Sequence, residues 1–264
     1  MVAPALSLRP PNLPAMGFFS PLPQAILRVL KPSDFPAWVR LRDEVLAGLA
    51  HHDAYVREED EAAFYARNCA PHGEGIGVFL GGEMVAYAMI GMPAVGDADH
   101  LGAVVGLPLA CHASVSHLAS CMVRQPWRGN QLQSLLLKLR CGLAQAYGRP
   151  VCLAMVSLNN SASRHNLLAN GMWIAWTGMI DGLRRHVLQI DLLGRQRWDL
   201  RDSWLIAGDD FDQLCAAAAS GYVGVQEVME GGRTLLRCAR RLPDGMPHQR
   251  PRTGSQEDHG VPPR

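Results

Sequence analysis

No apolar run in this 264-residue chain approaches the roughly 20 residues that a bilayer-spanning helix needs, so no membrane partner is expected. Neither sign of charge is in excess. The 25 Lys and Arg residues against 24 Asp and Glu leave a formal net charge of +1. That balance excludes a global field able to recruit nucleic acid or an acidic membrane, and an anionic ligand must be held by a local site. No CxxC pair occurs, and the cysteines number seven: Cys69, Cys111, Cys121, Cys141, Cys152, Cys215 and Cys238. An odd count without paired spacing argues against a disulfide framework and a zinc knuckle, and makes a reducing cytoplasm the simplest setting. There is no GxGxxG and no Gly-Lys-Ser/Thr ending, which removes the dinucleotide fingerprint and the P-loop. His51-His52-Asp53 lacks a third ligand at helical spacing, so no metal is expected. No internal repeat is visible.

What is present reads as one large α/β domain with an annex. Residues 1–24 are Pro-rich and lack a charged stretch followed by an unbroken apolar core. They read as a loose leader rather than a signal peptide, with Met16 an alternative start. Ile26 to Leu30 predicts a strand. Ser33-Asp34 predicts the cap of a helix carrying Trp38, Leu41, Val45, Leu46 and Leu49 at helical spacing. A second helix is predicted over Arg57 to Asn68, its acidic start (Glu58 to Glu61) suiting the positive end of a helix dipole. Ile76 to Leu80 and Met84 to Ile90 flank Gly81-Gly82 as a hairpin. Residues 93–108 read as a loop. Val115 to Val123 is the next strand, and Leu132, Leu135, Leu136, Leu139 and Leu143 mark one apolar helix face. Val151 to Val156 is a buried strand, Ala162 to Asn170 a helix closed by Gly171, and Met172 to Ile180 with His186 to Ile190 a strand pair.

The predicted order is β-α-α-β-β-β-α-β-α-β-β, a mixed sheet with helices on its faces, over residues 25–195. In residues 196–241 a helix (Asp209 to Ser220) and a hairpin (Val223 to Met229, Thr234 to Ala239) form a small C-terminal α/β annex. Residues 242–264 have the Pro, Gly and charge of a disordered tail.

The segment "RQPWRGNQLQSLLLKLR", Arg124 to Arg140, sets an arginine, a glycine and two amides at the mouth of the amphipathic helix. A helix start exposes about four backbone N–H groups and roughly half a positive charge. Gly129 permits a sharp turn and close approach, and Arg128 adds a planar donor matched to phosphate. A pyrophosphate seat and a simple helix cap both fit this segment by itself.

The stretch "VRQPWRGNQLQSLL" resembles the coenzyme A-binding loop of the GCN5-related N-acetyltransferase (GNAT) family, with Val123, Trp127, Arg128 and Gly129 in register. A second stretch, "SLNNSASRHNLLANGM", resembles that family's Asn-x-x-Ser motif, through Asn160, Ser163, Gly171 and Met172. The two motifs stand in the family's order, one helix and one strand apart. The resemblance covers Ile26 to Leu192 and implies the GNAT-like acyl-CoA N-acyltransferase fold. It implies acetyl-CoA as co-substrate and transfer of the acetyl group to a primary amine by direct attack on the thioester. The strand before the loop would splay and bond the pantetheine arm through Met122 and Val123. Arg128, Gly129, Asn130, Gln131, Leu132 and Gln133 would hold the diphosphate, and Asn160 and Ser163 would brace the far side of the arm.

The chain departs from the family pattern in ways that bear on catalysis. Gln131 stands where the family has a second loop glycine, and the proline comes one place late, at Pro126. The tyrosine often used as general acid is Leu167 here, and the strand "SVSHLASCMV" has no carboxylate. His117 is then a candidate base, or a hydrogen-bonded strand histidine, and Cys121 is a candidate acid for the leaving thiolate, or inert packing. Trp127 is a candidate neighbour of the coenzyme. A catalytically silent acyl-CoA-binding module and an unrelated α/β protein with a capped helix are the competing readings. The acceptor, a small molecule or a peptide amine, is not legible, and the annex from Arg201 to Arg240 is open to three roles: shaping the acceptor pocket, covering a sheet edge or making a homodimer.

Overall fold

The computed structural model describes residues 20–70, 72–194 and 196–243. Most of the predicted leader, Met16 and nearly all of the predicted tail lie outside the described residues. Ten strands form one sheet in the order β1-β2-β3-β4-β5-β7-β6-β9-β10-β8. They are β1 Ile26–Val29, β2 Gly73–Leu80, β3 Glu83–Gly91, β4 Val115–Val123, β5 Val151–Ser157, β6 Trp173–Ile180, β7 Leu183–Asp191, β8 Trp198–Ala207, β9 Val223–Glu230 and β10 Arg233–Arg241. The helices are α1 Phe35–Ala47, α2 Glu61–Arg67, α3 Leu101–Val104, α4 Leu132–Ala146, α5 Ser161–Ala169 and α6 Phe211–Ala219. The mixed α/β sheet is as expected, but the annex is no separate layer: through β6 and β9 it continues the same sheet.

Local chemistry fixes the boundaries. Gly81 and Gly82 both take positive φ (58° and 84°), the geometry of the tight β2–β3 hairpin, which few residues other than glycine adopt cheaply. Asp60 accepts the N–H of Ala63 at 2.8 Å, so α2 starts at Glu61 and not at Arg57. The acidic run therefore divides: Asp60 caps, and Glu61 pairs with Arg42 and Arg57. The stretch expected to be loop, residues 93–108, folds in part into α3, whose N-cap His100 accepts the Gly102 N–H at 3.0 Å.

Helices cover both faces of the sheet. On one, α4 buries Leu132, Leu136, Leu139 and Leu143 against Ile76, Val78, Ala88, Leu118 and Ala154. Each such leucine contributes about 1.5–3 kcal/mol relative to exposure. On the other, Trp38 of α1 packs with Tyr65 and Tyr87. Below it α3 covers Val115, Leu153 and Val187.

Candidate active site

β4 and β5 run parallel but are paired only at Val115, Ser116 and His117 against Val151, Cys152 and Leu153. β4 continues to Val123 and β5 to Ser157, so the two strands diverge and open a wedge. Met155 of β5, 48% exposed, lies along it. The loop after β4 and the turn before α5 stand at its mouth.

The loop after β4 is open to an anion. Residues 125–127 form a 3-10 turn in which the Arg128 N–H reaches the carbonyl of Gln125 at 3.2 Å. Gly129 takes φ 81°, and a Cβ added there would meet nothing within 4 Å. Gln131 takes the left-handed conformation (φ 55°, ψ 17°), and α4 begins behind it with no side-chain hydrogen bond at its N-cap. A left-handed residue followed by a right-handed one turns successive N–H groups into one concavity, an anion nest. Asn130 donates back to the carbonyls of Trp127 and Arg128, and Arg128 Nε donates to the carbonyl of Val123 at 3.2 Å. These side chains brace the loop, and among the described residues none caps the first-turn N–H groups of α4. The residues present thus fit a diphosphate.

The predicted coenzyme residues do not share one surface. Arg128, Gly129, Asn130 and Gln131 are exposed around the nest. Leu132 is a core residue, only 2% exposed, so it offers its N–H alone, and Gln133 accepts from Asn166 Nδ2 at 2.7 Å, tying α4 to α5. Asn160 caps α5 by accepting the Ser163 N–H at 3.1 Å, which occupies its carbonyl oxygen and the Ser163 amide together. Met122 is buried toward α1, and Val123 packs on the α4 side. Trp127 also packs on the α4 side.

Simple alternation puts His117, Ala119 and Cys121 on one face of β4, and the structure overturns this. Ala88 opposes Cys121 while Ile90 opposes Leu118, so β4 holds one more residue than β3 between these pairs. The extra residue is a bulge and it shifts the alternation. Cys121 then packs with Leu118 on the α4 face, whereas Ala119 and Met122 face α1.

Neither predicted catalytic side chain has an obvious role in this geometry. His117 Nε2 accepts the Leu101 N–H at 3.1 Å, so the lone pair that a base needs is occupied. Burial, and secondarily His100, lowers its pKa to about 4. The Cys121 thiol is pushed up by burial, against the opposing pull of Arg140.

Three features at the wedge escaped the sequence. Arg140 of α4, 2% exposed, donates to the carbonyls of Leu136, Met89 and Ala119 and thereby anchors the bulge. Tyr55, from the loop between α1 and α2, packs against the cluster of Trp38, Tyr87 and Met122, and Ser120 Oγ in the bulge lies 2.9 Å from the hydroxyl of Tyr87. Burial raises the Tyr55 pKa and keeps the phenol neutral. Asp53 from the same loop accepts from Ser157 Oγ at 2.8 Å and Asn159 Nδ2 at 3.1 Å. The hydrogen bond from Ser157 leads the causes that hold its carboxylate below the ordinary range. No local motif announces these contacts, because Asp53 and Ser157 lie 104 positions apart in sequence.

No protein-family model matches the chain, and no curated protein sequence matches it. Solved structures of N-acetyltransferases are similar to it in fold. An N-acetyltransferase from Staphylococcus aureus Mu50 is 17% identical, with a TM-score of 0.48 over 64% of this chain and 98% of that one. The yncA protein of Salmonella typhimurium, solved with its cofactor acetyl-CoA, is 18% identical, with a TM-score of 0.49 over 64% of this chain and 94% of that one. A ribosomal-protein-alanine N-acetyltransferase from Brucella melitensis is 20% identical, with a TM-score of 0.48 over 63% of this chain and 99% of that one.

Proposed function

We propose that the chain binds acetyl-CoA in the wedge between β4 and β5 and transfers the acetyl group to a primary amine. The observation that carries this reading is the divergence of the two strands beyond His117 and Leu153, at the end where α4 starts without a side-chain cap. Diverging parallel strands leave main-chain N–H and C=O groups unpaired along the wedge. An extended amide-bearing arm satisfies them as a further strand does. The α4 nest, with Arg128 beside it, supplies donors for a diphosphate.

In this reading the amine attacks the thioester carbon directly, and the protein contributes orientation and a polar wall. The bulge at Ala119 and Ser120, pinned from behind by Arg140, forms that wall. Tyr55, kept neutral by burial, gives its proton to the departing thiolate. His117 holds Leu101 in place and takes no proton from the amine. The amine loses its proton to water at the open mouth of the wedge.

A second reading, a silent acyl-CoA-binding module, is favoured by one observation. Leu167, at the position of the family's tyrosine, is buried in the core, only 4% exposed. Both readings require coenzyme A to raise the melting temperature, since a ligand selective for the folded state stabilises it. Incubation with acetyl-CoA and a panel of small and peptide amines, with acetylated product read by mass spectrometry, separates them. Product above the uncatalysed background supports the enzyme, binding without product supports the module, and no binding removes both.

A further inference from the structure

The C-terminal annex repeats the half of the fold that precedes it. α5, Ser161–Ala169, is answered fifty positions on by α6, Phe211–Ala219. β6 and β7, Trp173–Ile180 and Leu183–Asp191, are answered at the same interval by β9 and β10, Val223–Glu230 and Arg233–Arg241. The ends of β5 and β8, Ser157 and Ala207, keep the interval too.

The correspondence extends to register. Ser157 pairs with Arg185 and Ala207 with Leu235. Ile180 pairs with Leu183 and Glu230 with Arg233. Each hairpin carries a register shift at one place: after Trp176 opposite Val187, pairing resumes at Ile174 opposite Leu188. After Gln226 opposite Arg237, it resumes at Gly224 opposite Cys238. Asn160 caps α5 through the Ser163 N–H, and Asp210 caps α6 through the Gln213 N–H, both at 3.1 Å. Identity survives at Ala169 and Ala219, Gly171 and Gly221, Met179 and Met229, Gly182 and Gly232, and Leu192 and Leu242. The four glycines all take positive φ, between 74° and 88°. Thus the expectation of no internal repeat fails: the repeat is kept mainly in backbone geometry.

The two copies face each other across an approximate two-fold axis. The sheet order β5-β7-β6-β9-β10-β8 reads the same from either end once equivalents are exchanged, and the copies meet where Ile174 pairs with Gly224. These two residues are themselves equivalents. The contacts across the seam are reciprocal as well. His165 Nδ1 lies 2.8 Å from Glu227 Oε2, and their equivalents Cys215 and Thr177 meet at 3.6 Å, Sγ to carbonyl. In an isologous interface residue i meets j, and j meets i.

The axis itself is asymmetric. A Cβ at Gly224 would stand 2.8 Å from Cδ1 and 3.2 Å from Cβ of Ile174. Gly224 has no positive φ, so it is required for space and not for backbone conformation. Two isoleucines would collide there, whereas one isoleucine and one glycine fit.

We infer that residues 198–241 are a diverged internal duplicate of the 151–191 unit and act as the chain's own partner. They close the β6 edge, which would otherwise stand unpaired, and leave a single-chain pseudo-dimer. The duplicate contains no equivalent of β4 or of the Arg128 loop, so the pseudo-dimer has one wedge. This inference rests on register and packing and does not depend on the activity proposed above.

The test is an exchange across the axis in the full-length protein. Gly224→Ile is expected to lower the melting temperature by about 5 °C or more, and Ile174→Gly to lower it through loss of a core side chain. The double variant restores one large and one absent side chain at the axis. It is expected to melt well above the sum of the single losses. Strictly additive losses would overturn the inference. Should the large substitutions prevent folding, Gly224→Ala with and without Ile174→Val asks the same question more gently, with the same two outcomes. Light scattering on the native chain supplies an independent reading. A monomer of 28.8 kDa is expected. A dimer whose dissociation exposes the β6 amides to hydrogen exchange would overturn the inference.

Discussion

The guanidinium of Arg140, buried within α4, donates at 3.2 Å to the carbonyl of Ala119 in the β4 bulge. Its other hydrogen bonds also go to main-chain carbonyls, Met89 and Leu136, and among the described residues no carboxylate is paired with it. Arg140→Leu strands these acceptors in the core and is expected to cost about 2–4 kcal/mol in denaturant unfolding. Arg140→Lys retains the charge but loses the planar fork. It is expected to stay folded, with a lower kcat for acetyl transfer at little change in KM if the bulge shapes the reacting wall.

Arg128 is exposed at the nest, and among the described residues its guanidinium is hydrogen-bonded only to the carbonyl of Val123, so Arg128→Ala is expected to leave the melting temperature unchanged. Coenzyme A affinity should fall about 10-fold or more, as for a lost charge-assisted hydrogen bond of roughly 1.5–3 kcal/mol. Thermal unfolding checks the first expectation and calorimetric titration of coenzyme A the second, and undiminished affinity would remove the diphosphate from this loop.

Gln131 occupies a left-handed conformation in which a side chain costs roughly 1 kcal/mol. Gln131→Gly is therefore expected to keep or modestly raise stability and to tighten coenzyme A binding by opening the approach. Gly129→Ala, at φ 81° with open space around the new methyl, should lose about 1 kcal/mol from backbone strain alone.

Tyr55 packs with Ala119 and Met122 in the cluster on the α1 side of β4. Tyr55→Phe is expected to lower kcat for acetyl transfer by about 10²-fold or more while the coenzyme A dissociation constant holds, in keeping with the loss of a general acid. Equal kcat in the two proteins would rule this role out.

His117 carries a folded-state pKa near 4 against an ordinary 6.5, so the native protein binds fewer protons than the unfolded chain between these values. The slope of unfolding free energy against pH is then positive in that window. The stability associated with neutral His117 is complete above pH 6.5 and is lost as the pH falls toward 4. His117→Gln keeps an acceptor for the Leu101 N–H and removes the titration. Urea unfolding from pH 7 to pH 4 should show a flatter decline in the variant than in the native protein.

Much of this fold is legible in the sequence. The β2–β3 hairpin announces itself through Gly81-Gly82, and α4 through leucines at helical spacing. The loop motif points to the open start of α4. What failed depends on distance along the chain. β8, "WDLRDSWLIA", is an edge strand whose polar residues obscure any apolar run. The bulge at Ala119 exists through pairing with β3 and contact with Arg140, so alternation along β4 misplaces Cys121 relative to His117. The duplicate hides because Arg164, buried against Glu227, is answered by Leu214, and His186, fully buried, by Leu236. Side chains have diverged around a retained main-chain path.

Only three rungs lash β4 to β5, yet these two strands join a raft of four strands to a raft of six. An arm lying in the gap with its own amide groups supplies the rungs that are missing. Occupancy of the slot and the stiffness of the whole sheet then become one quantity. The slowest-exchanging amides on either side of the gap would report the ligand from tens of ångströms away.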